Sequence, residues 1–283
     1  MPQITNHKLV NATYSDLDRN DGNLTPNYIA VHYTAGISVS GSISHLKKVK
    51  FGYHVIIDRN GTITQCVPFN KRARHAGVSN WKGLSGLNDH SIGICLANRW
   101  YVTRFSNGSY GWVDTHNNPI GSFLIEVQVL KAEHINGAES NLYWEKYTTA
   151  QLNAFREVCQ VLVQTYSGIK DLIGHDEISM GRKPDPGPAF PFTDFYPLFT
   201  NRGNDNGNTF TVQTTDGKLN VRKGMSGNFK LLRQLVNGNK VHIRSEGYMY
   251  EENIPKPNGW VSISLEGTMD HIGFVNKSFL RVV

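Results

Sequence analysis

The stretch LIGHDEISMGRKPDPGP, residues 172–188, carries much of the information about the fold of this 283-residue chain. An apolar run ends at Gly174, His175 follows at once, and Asp185 lies further on in a turn rich in proline and glycine. A short apolar run bounded by such a turn is typical of a buried strand. The polar side chains that follow it are therefore expected at the edge of a sheet.

Other apolar segments predict further strands of the same sheet. Buried strands are expected at residues 29–33, 54–58 and 91–96. Asn60-Gly61 is a hairpin signal that leads from the second of these into residues 62–64. Together with the run before His175, these segments predict a mixed central sheet.

Two helices are expected beside this sheet. Residues 149–166 carry apolar side chains at helical spacing, and Thr148 with Gln151 forms a capping-box start. A shorter helix is expected at 40–49. The segment 98–147, rich in Tyr, Trp, Asn and Gly, is too long for an ordinary connection and is interpreted as a functional insertion.

Composition divides the chain into two domains. Residues 200–208 are polar, rich in Asn and Gly, and typical of a flexible linker. Residues 1–199 are predicted to form an α/β domain with a mixed central sheet flanked by helices. Residues 209–283 show short alternating strands separated by turns, which predicts a small all-β barrel.

The charge is uneven between the two domains. The net charge is +6, of which residues 200–283 carry +4. A basic module favours a polyanionic partner such as an anionic cell-wall polymer. Nucleic acid is not expected, because the chain has no basic helix, zinc-finger spacing or aromatic RNA-binding signature.

Composition also excludes several other classes of protein. No apolar run approaches the roughly 20 residues of a membrane-spanning helix, so no membrane insertion is expected. Three widely spaced cysteines, Cys66, Cys95 and Cys159, predict neither a disulfide framework nor a cysteine-only zinc site. The first residues lack the pattern of a secretory signal, so synthesis in the cytosol is expected. We expect a monomer.

Three side chains suggest a metal site. His32 ends the first predicted strand, and His175 and Asp185 lie in the stretch quoted above. Two imidazoles and a carboxylate, with a fourth position left for water, form a standard catalytic zinc set. Zinc lowers the pKa of its bound water to about 7. The spacing leaves an alternative open, in which two core histidines bond backbone carbonyls and the aspartate shapes a turn.

Several short motifs occur together in a recognisable order. They are Val31-His32-Tyr33-Thr34, Gly52-Tyr53-His54, His75-Ala76-Gly77, Ser91-Ile92-Gly93-Ile94 and the GRKPDPGP segment. Over roughly residues 25–195 the chain resembles the N-acetylmuramoyl-L-alanine amidases, a family shared by phage lysozyme-type amidases, cytosolic anhydromuropeptide amidases and animal peptidoglycan-recognition proteins. Residues 209–283 resemble a bacterial SH3-like domain.

The resemblance implies a set of site residues. One zinc ion would be held by His32, His175 and Asp185, with water in the fourth position. Lys183 matches the lysine placed near the scissile carbonyl, and Tyr53 occupies the position of the catalytic tyrosine in the phage branch.

The resemblance also concerns side chains around the centre. His75 is expected to line the substrate groove. Cys95 stands where the cytosolic branch has a glutamate that acts as general base, and the phage branch also has cysteine there, so we expect a packing role. Other polar side chains are expected away from the reaction: His54 in the core or just behind the site, and Glu177, His116 and His134 at the surface.

The implied function is zinc-dependent hydrolysis of the amide between N-acetylmuramic acid and L-alanine in bacterial peptidoglycan. Residues 209–283 are expected to bind the wall and take no part in the chemistry. The absence of a signal suits a phage endolysin that reaches the wall through a holin pore. The alternatives are a non-catalytic peptidoglycan-recognition protein and an injected bacterial toxin with the same chemistry.

Overall fold

The protein is described by a computed structural model that covers residues 2–17, 21–36, 38–113, 118–135, 143–199, 209–251, 254–266 and 271–283. The first strands are β1 (Ile4–Thr5), β2 (Lys8–Leu9), β3 (Thr13–Tyr14), β4 (Tyr28–Tyr33), β5 (Val55–Ile57), β6 (Ile63–Gln65), β7 (Asn80–Trp81), β8 (Leu84–Ser85) and β9 (Ser91–Leu96). They are followed by β10 (Thr103–Arg104), β11 (Tyr110–Val113), β12 (Pro119–Leu124), β13 (Val129–Lys131), β14 (Tyr143–Glu145) and β15 (Asp171–Gly174). The helices are α1 (Val39–Val49), α2 (Thr149–Thr165) and α3 (His175–Ile178), with 3-10 turns at Leu87–Asp89, Glu126–Gln128, Phe192–Asp194 and Tyr196–Leu198.

The last part of the chain forms strands alone, apart from one 3-10 turn at Lys277–Phe279 among the residues described. The strands are β16 (Thr209–Val212), β17 (Lys218–Arg222), β18 (Leu231–Val236), β19 (Lys240–Glu251), β20 (Ile254–Leu265), β21 (Gly273–Asn276) and β22 (Leu280–Val282).

A mixed six-stranded sheet forms the centre of the first domain, as the sequence predicts. Its order is β15-β4-β9-β5-β6-β3. Strand β4 runs parallel to both β15 and β9, whereas β5 and β6 form an antiparallel hairpin. Every residue of β4, β9 and β15 is buried, which is typical of parallel strands covered on both faces.

Helix α2 covers one face of this sheet. It begins at Thr148, whose hydroxyl accepts a hydrogen bond from the Gln151 backbone N–H at 3.1 Å, while the Gln151 side chain accepts one from the Thr148 N–H at 3.2 Å. The predicted capping box is confirmed. The apolar stripe of α2, which includes Phe155 and Leu162, packs in one core cluster with alternate residues of the sheet.

The opposite face of the sheet carries the candidate site. Strand side chains alternate between faces, so His32 points away from the face that Val31 shares with α2. On the side of His32, the sheet residues Ile56 and Cys95 pack with Leu46 of α1. The polar side chains discussed below therefore lie on the α1 side of the sheet.

The insertion forms small sheets of its own. Strands β10, β11 and β12 form one antiparallel sheet, and β13 pairs with β14. Trp144 of β14 is 2% exposed, so this segment packs against the domain rather than projecting from it. His116 lies outside the described residues.

The C-terminal domain is an antiparallel sheet of order β18-β17-β21-β20-β19-β16-β22. Within the described ranges its two edge strands do not pair, so the expected closed SH3-like barrel is not shown. Its core consists of side chains such as Val221, Val241 and Val261, which alternate along the strands.

Two further expectations concern the whole chain. Among the residues described, no helix is both long and apolar enough to cross a bilayer. Cys66, Cys95 and Cys159 are buried free thiols, in agreement with the prediction that the chain has no disulfide framework.

Candidate metal centre

Two neighbouring parallel strands bring the predicted histidines together. His32 lies near the end of β4, and His175 follows the end of β15, whose Gly174 pairs with Val31. The Nδ1 atoms of the two rings are 3.0 Å apart. Asp185 Oδ2 lies 3.0 Å from His32 Nδ1 and 2.9 Å from His175 Nδ1. All three residues are at least 94% buried.

Hydrogen bonds fix which nitrogen of each ring carries the proton. His75 Nε2 lies 3.1 Å from the Ser91 carbonyl, which can only accept, so His75 donates there and its Nδ1 accepts from His32 Nε2 at 3.0 Å. His175 Nε2 donates to the Ala76 carbonyl at 3.1 Å. In the neutral rings, both Nδ1 lone pairs therefore face Asp185.

This donor set fits a metal ion. Two imidazole lone pairs and a carboxylate oxygen repel one another at 3 Å unless a cation lies between them. The three ligand atoms all lie within 4.8 Å of one another. Ligands about 2.0–2.2 Å from a tetrahedral zinc ion lie roughly 3.3 Å apart, close to the spacing seen here. Of the two interpretations that the sequence left open, the geometry favours the metal site.

Electrostatics favour the ligand form of these groups. Burial, reinforced by the neighbouring His175, lowers the pKa of His32 to about 4, so the ring is neutral at pH 7. Burial alone would raise the pKa of Asp185, but His175 and His32 beside it hold that pKa well below its usual range. A neutral imidazole and an ionised carboxylate are the forms that bind metals.

A cavity of about 650 Å³ is lined by His175 and Asp185, and the buried His32 lies against both of them. Tyr53 and Lys183, which the sequence assigns to catalysis, both line this cavity, as do His175 and Asp185. The ring of Tyr53 lies 4.9 Å from that of His32, measured between centroids. Burial raises the pKa of Tyr53 well above its usual value, so the phenol stays protonated and can donate a hydrogen bond. The structure thus brings the predicted groups to one site.

His75 lies on the wall of the same cavity, where it was expected to contact substrate. It is 6% exposed, and both of its ring nitrogens are engaged, one with His32 and one with Ser91. A histidine so placed orients the neighbouring ring, and the predicted contact with substrate stays a prediction.

Cys95 lies directly behind the centre. It pairs with His32 across β4 and β9 and is completely buried. Burial, with Asp185 nearby, raises the pKa of its thiol well above the usual value, so the thiol is protonated at neutral pH. These features agree with the packing role that the sequence predicts.

The loop between His175 and Gly187, here called the metal loop, is supported by the insertion. His134 is 4% exposed, and its Nε2 lies 3.1 Å from the Pro184 carbonyl and 3.3 Å from Asp176 Oδ2. The expectation that His134 lies at the surface is wrong, because β13 and β14 fold back over the loop. Tyr147 donates to the Pro186 carbonyl at 2.9 Å.

Glu177 is also buried, contrary to expectation. It is 6% exposed and forms an ion pair with Arg244 of the C-terminal domain. The sequence could not show this, because the two residues are far apart in the chain and nothing local marks the contact. His54, by contrast, is fully buried as predicted.

Sequence reasoning missed two side chains at the site. Arg182 donates to the Ala76 carbonyl at 2.6 Å and to the Val78 carbonyl at 2.9 Å, and so ties the metal loop to the segment that carries His75. The position of Arg182 in the GRK motif was the signal by which the sequence could have identified it. Trp100 also lines the cavity. Its backbone φ is 112°, a value that residues other than glycine rarely adopt.

Fold and site together define a class of protein: an α/β domain with a His-His-Asp cluster beside a cavity, which is the donor set of a metallohydrolase. The particular family follows from sequence comparison. The chain belongs to the N-acetylmuramoyl-L-alanine amidase family, whose profile matches residues 22–188.

Individual relatives agree with this assignment. The chain is 32% identical over 157 residues to the 1,6-anhydro-N-acetylmuramyl-L-alanine amidase AmpD of Salmonella typhimurium strain SL1344, a match that covers 55% of this chain and 59% of that protein. It is 29% identical over 173 residues to the N-acetylmuramoyl-L-alanine amidase AmiD of Escherichia coli K12, covering 58% and 50%. The chain therefore spans little more than half the length of these relatives.

Among solved structures, the crystal structure of a selenomethionine AmpD derivative superposes with a TM-score of 0.47 at 25% identity. The match covers 70% of this chain and 99% of that chain.

Proposed function

We propose that the protein is a zinc-dependent peptidoglycan amidase that hydrolyses the amide between the lactyl group of N-acetylmuramic acid and L-alanine. The observation that carries the proposal is the convergence of His32 Nδ1, His175 Nδ1 and Asp185 Oδ2 beside an open cavity that His175 and Asp185 line. The names of AmpD and AmiD indicate the same bond in relatives.

The metal site would be formed by His32, His175 and Asp185, which leave the cavity side open. Zinc bound there would supply a water of lowered pKa and polarise the substrate carbonyl. The protein orients the two histidines that would bind the metal, because His75 holds the ring of His32 and the Ala76 carbonyl holds that of His175.

Two cavity side chains have proposed roles in the reaction. The cationic Lys183 would stabilise the negative charge that grows on the carbonyl oxygen, and a preorganised donor of this kind is most effective where water is excluded. Tyr53, a phenol that keeps its proton, would hold the attacking water or donate to the leaving nitrogen. The protonated Cys95 thiol is unsuited to act as a base.

We further propose that residues 209–283 bind anionic wall polymers and that the protein acts on the wall after release from the cytosol by a route such as a phage holin. The +4 charge of residues 200–283 supports wall binding. The test of the route is expression in a bacterial host with and without a separate pore-forming protein. Lysis only with the pore supports it, and lysis without the pore contradicts it.

The decisive test of the proposed function is metal dependence. Wild-type protein should bind one zinc ion and release L-alanyl peptides from purified peptidoglycan, as mass analysis of the products would show. His175→Ala should lose both zinc and activity. A protein that binds zinc and muropeptide without releasing peptide would instead be a recognition protein, and activity that survives exhaustive chelation would exclude the metal.

A further inference from the structure

A buried ion pair joins the C-terminal domain to the metal loop. Arg244 of β19 donates from Nη2 to Glu177 Oε1 at 2.6 Å, and the two residues are only 5% and 6% exposed. The Arg244 carbonyl accepts from the Lys82 N–H at 2.8 Å, and its guanidinium lies 5.2 Å from the centre of the Trp81 ring. Removing two charges from water is costly, so such a pair is found where both partners are held firmly in place.

The other oxygen of Glu177 binds the backbone just before the candidate metal ligand His175. Glu177 Oε2 accepts a hydrogen bond at 2.9 Å from the backbone N–H of Gly174, which directly precedes His175. The carboxylate thus bridges Arg244 on one side and the backbone that carries His175 on the other. Any movement of Glu177 changes the position from which the His175 ring projects.

The same strand also contacts the end of the metal loop that carries Lys183. The Tyr248 N–H donates to the Met180 carbonyl at 2.9 Å. The next residue, Gly181, has a φ of 80°, and a Cβ added to it would lie 2.6 Å from the Tyr248 carbonyl oxygen. Strand β19 therefore lies against both ends of the turn between His175 and Lys183.

We propose that Arg244 is a positioning residue for the metal centre, acting through Glu177 on the orientation of His175. The C-terminal domain is then part of the active centre as well as a wall-binding module. The inference rests on the proposed role of His175 as a zinc ligand. It departs from the expectation, based on sequence, that residues 209–283 take no part in the chemistry.

The test compares two variants of the full-length protein that weaken the same interface. Arg244→Met removes the charge that holds Glu177 and keeps the apolar stem. Tyr248→Phe removes the hydrogen bond, 2.7 Å long, that Asn80 Nδ2 donates to the Tyr248 hydroxyl, and leaves both partners of the Arg244–Glu177 pair in place. Loss of groups that orient metal ligands typically weakens metal affinity about 10–100-fold.

Zinc affinity is measured by competition with a chelator. We expect Arg244→Met to bind zinc about 10–100-fold more weakly than wild type, and Tyr248→Phe to bind it as wild type does. In the zinc-free protein, amides of residues 174–178 should exchange with solvent faster in Arg244→Met than in Tyr248→Phe. Wild-type affinity in Arg244→Met, or an equal loss in both variants, overturns the inference.

A second pair of variants tests the path through Glu177. In Arg244→Met combined with Glu177→Gln, the zinc affinity should be no weaker than in Arg244→Met alone, because both changes act on one link. If the two substitutions lower the zinc affinity by factors that multiply, the proposed path through Glu177 is overturned. If Arg244→Met does not fold, Arg244→Lys replaces it, since lysine keeps the charge but not the planar guanidinium. We expect a smaller loss of affinity there, and wild-type affinity in Arg244→Lys overturns the inference.

Failure of this inference is distinguishable from failure of the proposed function. If wild-type protein binds no zinc, the proposed function fails first. If wild type binds zinc and His175→Ala does not, while Arg244→Met equals wild type, only the role of Arg244 is excluded. Lys240→Gln is the control on the same strand, since Lys240 forms only an exposed pair with Glu266 at 3.5 Å, and it should leave affinity unchanged.

Discussion

Each imidazole at the metal centre has one nitrogen engaged by the protein and one directed at Asp185. Hydrogen bonds from His32 to His75 and from His75 to the Ser91 carbonyl fix the His32 ring. The Ala76 carbonyl fixes the His175 ring. The protein therefore determines the tautomers before any metal binds, which reduces the reorganisation that binding requires.

The first prediction at this scale concerns turnover. Lys183→Ala and Tyr53→Phe should each keep zinc and lower the rate of cleavage about 10²–10³-fold, the usual effect of losing a preorganised donor. Steady-state cleavage of a soluble muropeptide measures the rate of each variant, and metal analysis measures its zinc content. Cys95→Ala is the control and should lose little rate. A variant that cuts at the wild-type rate would exclude the role assigned to its residue.

The second prediction concerns acid stability. Burial lowers the pKa of His54 to about 4, against roughly 6.5 in an unfolded chain. The unfolded state therefore takes up the proton first, and stability is lost as pH falls from about 6.5 towards 4. The loss from this group should be about 2 kcal/mol between roughly pH 7.5 and pH 5.

The measurement is urea unfolding of metal-free wild type and His54→Gln at both pH values. The variant should show a smaller loss of stability on acidification, because it lacks the ring that takes up a proton on unfolding. His45→Gln, at an exposed position on α1, serves as the control and should follow wild type. Identical pH dependence in wild type and His54→Gln would show that this ring does not titrate as described.

Among the elements, α2 holds the sheet in place from the face opposite the metal. Phe155 is completely buried, and its ring centroid lies 5.1 Å from that of Phe190 and 4.9 Å from that of Phe195. These aromatic side chains join α2 to the segment that follows the metal loop. Packing on this side therefore supports the carboxyl ends of β4 and β15.

Phe155→Ala should lower the free energy of unfolding by about 3–5 kcal/mol, because it removes a large buried side chain and leaves a cavity. Asn153→Ala, at an exposed position of the same helix, should change it by less than about 0.5 kcal/mol. Chemical denaturation with chelator present measures both without a contribution from metal. A loss below about 1 kcal/mol for Phe155→Ala would show that the site repacks.

In the whole molecule, the first domain carries the candidate metal centre, and the C-terminal domain carries most of the excess positive charge. The ion pair between Arg244 and Glu177 connects the two domains. The proposed wall contact and the candidate metal centre therefore differ in chemistry but are connected in structure, because β19 belongs to the C-terminal sheet and packs on α3.

Binding to sacculi should weaken as salt is raised, because the screening length falls from about 10 Å at 0.1 M to about 3 Å at 1 M ionic strength. Co-sedimentation of the full-length protein measures this. Lys218→Gln, at an exposed position of the C-terminal sheet, should reduce binding more than Lys170→Gln in the first domain. Binding that is insensitive to salt, or equal losses in both variants, would show that the basic domain does not direct the attraction.

The sequence by itself determined the features that depend on short stretches of chain. Apolar runs located β4, β9 and β15, and helical spacing with the capping box located α2, because these patterns reflect local burial and local hydrogen bonds. The order of motifs indicated His32, His175 and Asp185 as ligands.

Tertiary structure alone decided which side chains support that centre. The sequence predicts Glu177 and His134 at the surface, whereas both are buried. Their burial depends on contacts with β19, β13 and β14, whose partners are distant in the chain and leave no periodic signal. Only the folded protein brings Arg244 to Glu177, and only the completed hydrogen-bond network determines which nitrogen of His32 faces Asp185.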